Sequence, residues 1–261
     1  MFICLRVIIW PSHHKGAFMK DLSWLKDHLI AHRGLHTKDG LIPENSFKAF
    51  SQALKHGYSI ECDLNILNDG TVVVFHDHHM MRLCGKDLYL NEVSYADIKS
   101  ITYLNTKETI LTFKDLLALV DGKVPLLIEL KPFGNMLALC QNVMSLLKTY
   151  QGVYAIFSFH PKIVGWFKKN HPSVIRGQIS SYFKDEKLGV FNKYLAKRMV
   201  FNRFTKPDFI SYDITNLPNK YADYYAKKGL VVLSFAARNQ AEFNRIKARY
   251  DNVVFEYFNP K

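Results

Sequence analysis

Acidic and basic side chains stand at the ends of several apolar, strand-like segments of this 261-residue chain. Successive side chains of a strand point to opposite faces, so residues two positions apart share one face. Glu61 and Asp63 therefore project together toward one interior, while Cys62 between them points outward toward a layer of helices. Glu129 and Lys131 share a face in the same way. We expect three carboxylates and one lysine to converge on a single site.

The residue types at this site suit metal binding and proton transfer. Carboxylate oxygens of Glu61, Asp63 and Glu129 are hard ligands, which favour Mg²⁺ or Ca²⁺ over a thiophilic metal. Three carboxylates in one buried mouth also repel each other unless a cation is present. His32 and His76 follow two further strand-like segments, and each can exchange a proton near neutral pH. The pattern predicts a divalent metal site with general acid and base catalysis.

Fixed positive charge at the same strand ends indicates a phosphate-containing substrate. Arg33 and Lys131 can bind phosphate oxygens and stabilise charge that develops on them. Any one of these charged residues alone is better explained as an ordinary ion pair at a rim. Their coincidence at four strand ends favours a joint role in catalysis.

The elements that must position these residues alternate between strands and helices. Eight apolar segments predict strands, at residues 29–31, 58–60, 71–75, 124–128, 154–157, 174–179, 209–212 and 230–233. This order predicts an α/β fold, a (β/α)8 TIM barrel, in which catalytic groups follow the carboxyl ends of the strands. A doubly wound open sheet is the competing architecture, but no Gly-rich phosphate fingerprint follows the first strand.

Three stretches depart from regular alternation. The sequence Asn68-Asp69-Gly70 predicts a tight turn that joins the second and third strands without a helix. Residues 78–111 show weak periodicity, and we expect a small insertion after the third strand, over the active-site end. Residues 1–18 precede the pattern and form an N-terminal extension whose place in the mature protein the sequence leaves open. Residues 19–261 are predicted to form a single TIM-barrel domain.

The charge balance favours anionic partners. The chain has 35 basic and 23 acidic residues, a net charge of +12, and such a field attracts phosphate esters, acidic lipid surfaces or nucleic acid. We expect no nucleic-acid partner, because no recognised module is present. The basic aromatic stretch 193–206 resembles a helix in peripheral contact with an anionic membrane. A surface helix that covers the barrel is the favoured alternative. The oligomeric state stays open.

The cysteines and the first residues indicate a location. Four cysteines show no CxxC spacing, which suits a reducing compartment or buried thiols. The apolar start, residues 1–10, is too short to span a bilayer, and no clear cleavage site follows it. A cytoplasmic location is predicted.

The motifs HRG (32–34), PEN (43–45), ECD (61–63), DGTVVVFHD (69–77) and IELK (128–131) resemble the glycerophosphodiester phosphodiesterase family. The resemblance implies a TIM barrel that hydrolyses a small-molecule glycerophosphodiester to glycerol 3-phosphate and an alcohol with a divalent metal. Carried over residue by residue, it implies metal ligands at Glu61, Asp63 and Glu129, and an acid–base pair at His32 and His76. It implies substrate-binding residues at Arg33, Glu44, Lys131 and Phe235, with Glu44 near the metal as a candidate fourth ligand.

The resemblance also implies a two-stage mechanism. One histidine removes the proton of the substrate's own glycerol hydroxyl, and the other protonates the leaving alcohol. Water then opens the resulting cyclic phosphate, and the histidines exchange roles. Which histidine starts as the base is left open.

The chain departs from the family pattern near the last predicted strand. Many members carry a Trp-Thr pair where this chain reads Leu233-Ser234-Phe235-Ala236, so Phe235 takes the place of the Trp. An aromatic wall against glycerol is kept, whereas the indole N–H and the Thr hydroxyl are lost. Substrate choice is the property this change affects. A lysophospholipid or a glycerol-phosphate polymer is an alternative substrate, and a non-catalytic phosphodiester-binding protein is an alternative function.

Overall fold

Eight parallel strands close into a barrel in the computed structural model, which describes residues 20–184 and 187–261. Each barrel strand pairs with the next, and β1 pairs with both β9 and β2, which closes the sheet. The predicted (β/α)8 barrel is confirmed. The predicted extension, residues 1–18, lies outside the described residues. In chain order the strands are β1 Ile30–Ala31, β2 Ser59–Ile66, β3 Val72–Val74, β4 Leu126–Leu130, β5 Tyr154–Ser158, β6 Ile175–Ser180, β7 Phe209–Asp213, β8 Val231–Ala237 and β9 Asn252–Phe255.

The third predicted strand, residues 71–75, is not a barrel strand, and that part of the prediction is wrong. β3 pairs antiparallel with β2, with Leu64 opposite Val74. β2 is eight residues long, and the turn after it is too short for the crossover that a parallel partner would need. The chain therefore returns as a hairpin, and the eighth barrel position is taken by β9. The hairpin brings the residues after β3 back to the barrel mouth.

The helices surround the barrel in the order that the alternation predicts. Ser46 caps α2, because its side chain accepts a hydrogen bond from the Ala49 N–H. No helix in the described part of the chain is long and apolar enough to cross a membrane. The helices are α1 Ser23–Asp27, α2 Phe47–Lys55, α3 Met81–Cys84, α4 Tyr95–Ile98, α5 Phe113–Val120, α6 Met136–Leu147, α7 Pro161–Asn170, α8 Val190–Lys197, α9 Asn202–Thr205, α10 Lys220–Lys227 and α11 Gln240–Lys247.

Two apolar cores lie on the two sides of the barrel wall. Leu127 packs inside the barrel, and its neighbour Ile128 packs outside against the helices, as the alternation of a strand requires. Cys62 of β2 also faces the outer layer, together with Phe50 of α2. The short helix α1 places Trp24 in the inner core, at the end where the strands begin. Polar side chains lie inside the opposite end of the barrel, where the strands end.

The predicted insertion over the active-site end is present. Residues 78–111 contain α3, α4 and a 3-10 helix, Leu90–Glu92, and they enclose a small core of their own around Phe75, Ile98 and Tyr103. This core lies beside β3. The insertion is therefore a packed subdomain attached to the hairpin.

Candidate active site

Three buried carboxylates lie side by side at the mouth of the barrel. Glu61 and Asp63 extend inward from β2, and the strand register places Asp63 beside Glu129 of β4. One oxygen from each carboxylate lies within 4.8 Å of the others. The strands run further than predicted, because β2 does not end at Ile60, and all three residues lie inside strands rather than after them. Rigid strand backbone therefore fixes the spacing of the cluster.

The cluster carries more negative charge than its neighbours neutralise. Lys131 Nζ lies 2.8 Å from both Asp63 Oδ1 and Glu129 Oε1. Burial alone would raise the pKa of Asp63, but Lys131, His76 and Arg33 hold this pKa well below its usual range.

The pKa values of Glu61 and Glu129 shift in the opposite direction, upward. Burial, followed by the charges of Asp63 and Glu129, raises the pKa of Glu61 well above its ordinary value. Burial also raises the pKa of Glu129, although Lys131 opposes this effect. Clustered hard oxygens whose negative charge is only partly compensated fit a divalent cation such as Mg²⁺ or Ca²⁺.

His32 follows β1 and is held by a carboxylate that directly follows the last strand. Its Nδ1 lies 2.6 Å from Glu256 Oε2, and its Nε2 lies 3.9 Å from Glu61 Oε2. Burial and the neighbouring Arg33 lower the pKa of His32 to about 4, although Glu256 opposes this shift. The imidazole is therefore neutral at pH 7 and can accept a proton at Nε2.

His76 follows β3 and is oriented in the same way. Its Nδ1 lies 2.6 Å from Asp77 Oδ1, and Arg82 Nε of the insertion donates to Asp77 Oδ2 at 2.6 Å. The Phe75 N–H donates to the Asp63 carbonyl, which fixes the hairpin against β2 at this level. Asp77 thus orients the ring of His76. In both histidines Nδ1 is paired with a carboxylate, which leaves Nε2 available for proton exchange.

Arg33 and Glu44 form a second charged layer at the mouth. The Arg33 backbone has φ = 54°, and its N–H donates to Glu61 Oε2 at 2.9 Å. Its guanidinium lies 2.7 Å from Glu44 Oε1 and 3.2 Å from Asp63 Oδ2. Glu44 also accepts hydrogen bonds from Arg82 at 2.8 and 3.1 Å. The structure places Glu44 against the two arginines and outside the acidic cluster, so it gives no support to a fourth ligand there.

One cavity of about 220 Å³ joins seven of the nine predicted site residues. The other two do not line the cavity: Asp63 contacts Lys131, and Glu44 contacts Arg33. Phe235 packs edge-to-face on Phe159, with 5.9 Å between the ring centres. The cavity is lined by His32, Arg33, Glu61, His76, Glu129, Lys131, Phe157, Phe159, Ile179, Ser211, Phe235 and Val254.

Four residues that hold the site were not among the predicted site residues. Glu256 follows β9 directly, so the rule that polar residues follow barrel strands would have found it had β9 been predicted. Asn45 Nδ2 donates to Asp63 Oδ2 at 2.8 Å from the loop before α2. Asp77 comes directly after His76, the residue that it holds. Arg82 lies in the weakly periodic insertion and carries no recognisable signal in the sequence.

The fold and this cavity define a TIM-barrel phosphodiesterase. The profile of the glycerophosphoryl diester phosphodiesterase family matches residues 32–256, and the chain belongs to this family. Its members hydrolyse glycerophosphodiesters, which makes the chain a phosphoric diester hydrolase. The chain is 27% identical over 240 residues to YhdW of Bacillus subtilis, which has a provisional glycerophosphodiester phosphodiesterase name. That alignment covers 88% of this chain and 94% of YhdW.

Solved structures share the fold. A phosphodiesterase of Oleispira antarctica, in complex with the product sn-glycerol-3-phosphate, superposes with a TM-score of 0.75 at 20% identity. The match covers 90% of this chain and 95% of that one. A glycerophosphodiester phosphodiesterase of Thermotoga maritima gives a TM-score of 0.67 at 20% identity and covers 87% and 93% of the two chains.

Proposed function

We propose that this chain hydrolyses glycerophosphodiesters to glycerol 3-phosphate and a free alcohol with a divalent cation, Mg²⁺ or Ca²⁺. The observation that carries the proposal is the meeting of an acidic cluster and two carboxylate-paired histidines on one cavity of about 220 Å³. The cation supplies Lewis-acid activation of a phosphate oxygen and of the glycerol hydroxyl when it is bound. Glu61, Asp63 and Glu129 would hold it.

The two histidines perform the proton transfers. One takes the proton of the substrate's glycerol hydroxyl at Nε2, while the other gives a proton to the departing alcohol. The hydroxyl oxygen bonds to phosphorus, the bond from phosphorus to the alcohol breaks, and a cyclic glycerol phosphate forms. Water then opens the ring with the histidines in exchanged roles. Glu256 and Asp77 act as positioning residues, since each fixes one ring through Nδ1.

The remaining cavity residues bind the substrate. Arg33 and Lys131 are fixed cations on the wall of the cavity, as binding of a phosphate requires. Phe235 gives an apolar surface against the glycerol carbons. Glu44 contributes through Arg33, whose guanidinium it holds. The bound sn-glycerol-3-phosphate in the similar Oleispira antarctica phosphodiesterase supports this class of substrate.

The test is release of glycerol 3-phosphate from a panel of glycerophosphodiesters, with EDTA and after Mg²⁺ or Ca²⁺ is added back. We expect EDTA to abolish turnover and one of the two cations to restore it. Absence of turnover on every substrate, in folded and metal-loaded protein, would overturn the proposal in favour of a non-catalytic phosphodiester-binding protein.

A further inference from the structure

A large groove opens directly from the catalytic cavity. Its volume is about 1050 Å³, almost five times the 220 Å³ of the cavity itself. Lys131, Phe159 and Phe235 line both spaces, so a ligand held at the phosphate site can extend into the groove without a break. A small glycerophosphodiester has no acyl chain that could occupy the groove. The groove lies at the upper end of the volumes found for ligand sites.

The surface of the groove suits an apolar chain. Its walls come from the insertion, from the loop after β4 and from the segment that contains α8 and α9. Asp213 on the groove wall is paired within the protein, because its Oδ1 accepts hydrogen bonds from the Thr215 N–H and hydroxyl, both at 2.7 Å. The apolar lining includes Met81, Phe133, Phe183, Leu195, Met199 and Phe201.

The outer side of the same wall is basic and apolar. Residues 187–206, called the basic face below, contain six lysines and arginines and no acidic residue. The two acidic residues just before them, 185 and 186, lie outside the described part of the chain. Val190, Phe191 and Phe204 on this face are 87%, 71% and 60% exposed, and α8 has no buried residue. Exposed apolar residues with flanking cations are complementary to an anionic lipid surface.

Phe201 connects the two sides of the wall. It is 42% exposed on the basic face and also lines the groove. An apolar chain that leaves a membrane at the basic face therefore meets the open groove at once, and the groove leads to the phosphate site.

We propose that the groove holds the acyl chain of a lysophospholipid, taken from an anionic membrane surface on which the basic face docks. This inference rests on the proposed function, because the same cavity performs the chemistry. The free glycerol hydroxyl of the lysophospholipid gives its proton to one histidine and bonds to phosphorus, while the bond from phosphorus to the head-group oxygen breaks and the head-group alcohol leaves with a proton from the other histidine. Water then opens the cyclic phosphate. The products are lysophosphatidic acid and the free alcohol.

The decisive comparison is choline release from lysophosphatidylcholine and from glycerophosphocholine, which carry the same phosphodiester and differ in the acyl chain. Each methylene that moves from water into the groove strengthens binding about fourfold. We expect kcat/KM for lysophosphatidylcholine to exceed that for glycerophosphocholine by about tenfold or more, and to rise with chain length. Equal or lower kcat/KM for the lipid, with glycerophosphocholine turned over, overturns the inference and leaves the proposed function standing.

A variant that fills the groove gives a second test. Ala196 lines the groove, so Ala196→Trp should remove the advantage of the lipid and leave glycerophosphocholine turnover unchanged, which also shows that the variant is folded. Ala226→Trp, on the exposed side of α10, is the matched control and should change neither rate. An equal effect of Ala196→Trp on both substrates contradicts the groove assignment. Inactivity of the wild type on both substrates overturns the proposed function and this inference together.

Sedimentation with vesicles tests the basic face. Wild-type protein should bind phosphatidylglycerol vesicles more tightly than phosphatidylcholine vesicles, and added salt should weaken the binding. Phe191→Ser should reduce vesicle binding without changing glycerophosphocholine turnover. Tyr224→Ser, an exposed aromatic on α10, is the matched control and should bind as the wild type does. If vesicle binding depends neither on the charge of the vesicle nor on the Phe191→Ser substitution, docking through this face is contradicted.

Discussion

Most residues of the cavity could be predicted from the sequence, because two rules apply to them: side chains alternate along a strand, and the carboxyl ends of barrel strands meet at one rim. Glu61, Asp63, Glu129 and Lys131 share faces by the alternation of strands, and His32 and His76 follow strands whose ends meet at one rim. Their partners could not be found in this way. Arg82 reaches Asp77 through the fold of the insertion, and nothing in the local sequence records that contact.

The Glu61→Gln variant tests metal binding by the acidic cluster. Gln keeps an oxygen for the Arg33 N–H but removes a negative charge from the cluster. We expect metal titrations of activity to shift to higher concentration by at least the roughly 10- to 100-fold that loss of a supporting residue costs a metal site. Glu92→Gln, on an exposed part of the insertion, should titrate as the wild type does. An unchanged titration for Glu61→Gln would remove Glu61 from the ligands.

The His76→Ala variant separates proton transfer from metal binding. Loss of a general acid or base lowers kcat by about 10² to 10⁴-fold. Because no carboxylate of the acidic cluster is altered, metal affinity measured by calorimetry should stay close to that of the wild type. His56→Ala, at the exposed end of α2, should keep full turnover. Substantial residual turnover in His76→Ala would refute its acid–base role.

At the scale of elements, most strands could be predicted, but the antiparallel pairing of β3 and the presence of β9 could not. Residues 71–75 have the β-branched content of a buried strand, and the structure has a strand there, but in an antiparallel hairpin outside the barrel. The turn at 68–70 was predicted correctly, and its length already forbids a parallel partner. β9 was missed because Asn252–Phe255 is only four residues long and begins with a polar residue.

The loop between β1 and α2 depends on close approach at Gly34. Gly34 has φ = +75°, and a Cβ atom there would lie 2.8 Å from the Ala49 backbone carbon and 2.9 Å from Phe50 Cδ1. Gly40 has the same φ but nothing within 4 Å. Gly40→Ala should cost about 1 kcal/mol of unfolding free energy from backbone strain. Gly34→Ala should cost about 2 kcal/mol more, since overpacking adds to the strain. Urea denaturation measures both, and equal losses would contradict tight packing of the loop on α2.

At the scale of the whole molecule, Glu44 joins the loop between β1 and α2 to the insertion. Arg33 follows β1, Glu44 lies before α2, and Arg82 belongs to the insertion. Burial would raise the pKa of Glu44, but hydrogen bonds from Arg82 and the charges of Arg33 and Arg82 lower it from 4.5 to about 2. A carboxyl whose pKa is lowered by folding stabilises the folded state when ionised. That stabilisation is complete above about pH 4.5 and is lost as the pH falls toward about 2.

Glu44→Gln should therefore lower the stability at neutral pH by about 1 to 3 kcal/mol. The variant should also lose less stability than the wild type between pH 4.5 and 2, so that the two curves converge in acid. Calorimetric unfolding in EDTA across this pH range measures the difference without a contribution from metal. If the two curves of stability against pH stay parallel over the whole range, the ionised Glu44 carboxylate does not stabilise the folded state.

Some whole-molecule properties stay predictions. A cytoplasmic location was inferred from the cysteines and the first residues, and the absence of a nucleic-acid partner from the lack of a known module. The net charge of +12, by contrast, predicted attraction to anions, and the basic face shows where part of that charge lies.

The alternation along β2 has a consequence for how the barrel assembles. Cys62 sits among apolar side chains of the outer layer, between two carboxylates that face inward. If β2 slipped by one residue against β4, Cys62 would enter the cavity and both carboxylates would be forced into the hydrocarbon contacts around Phe50. Ionised groups in such surroundings are strongly unfavourable. The two carboxylates that we propose as metal ligands thus also disfavour the misaligned sheet, so the correct strand register and the proposed chemistry depend on the same short segment, residues 61–63.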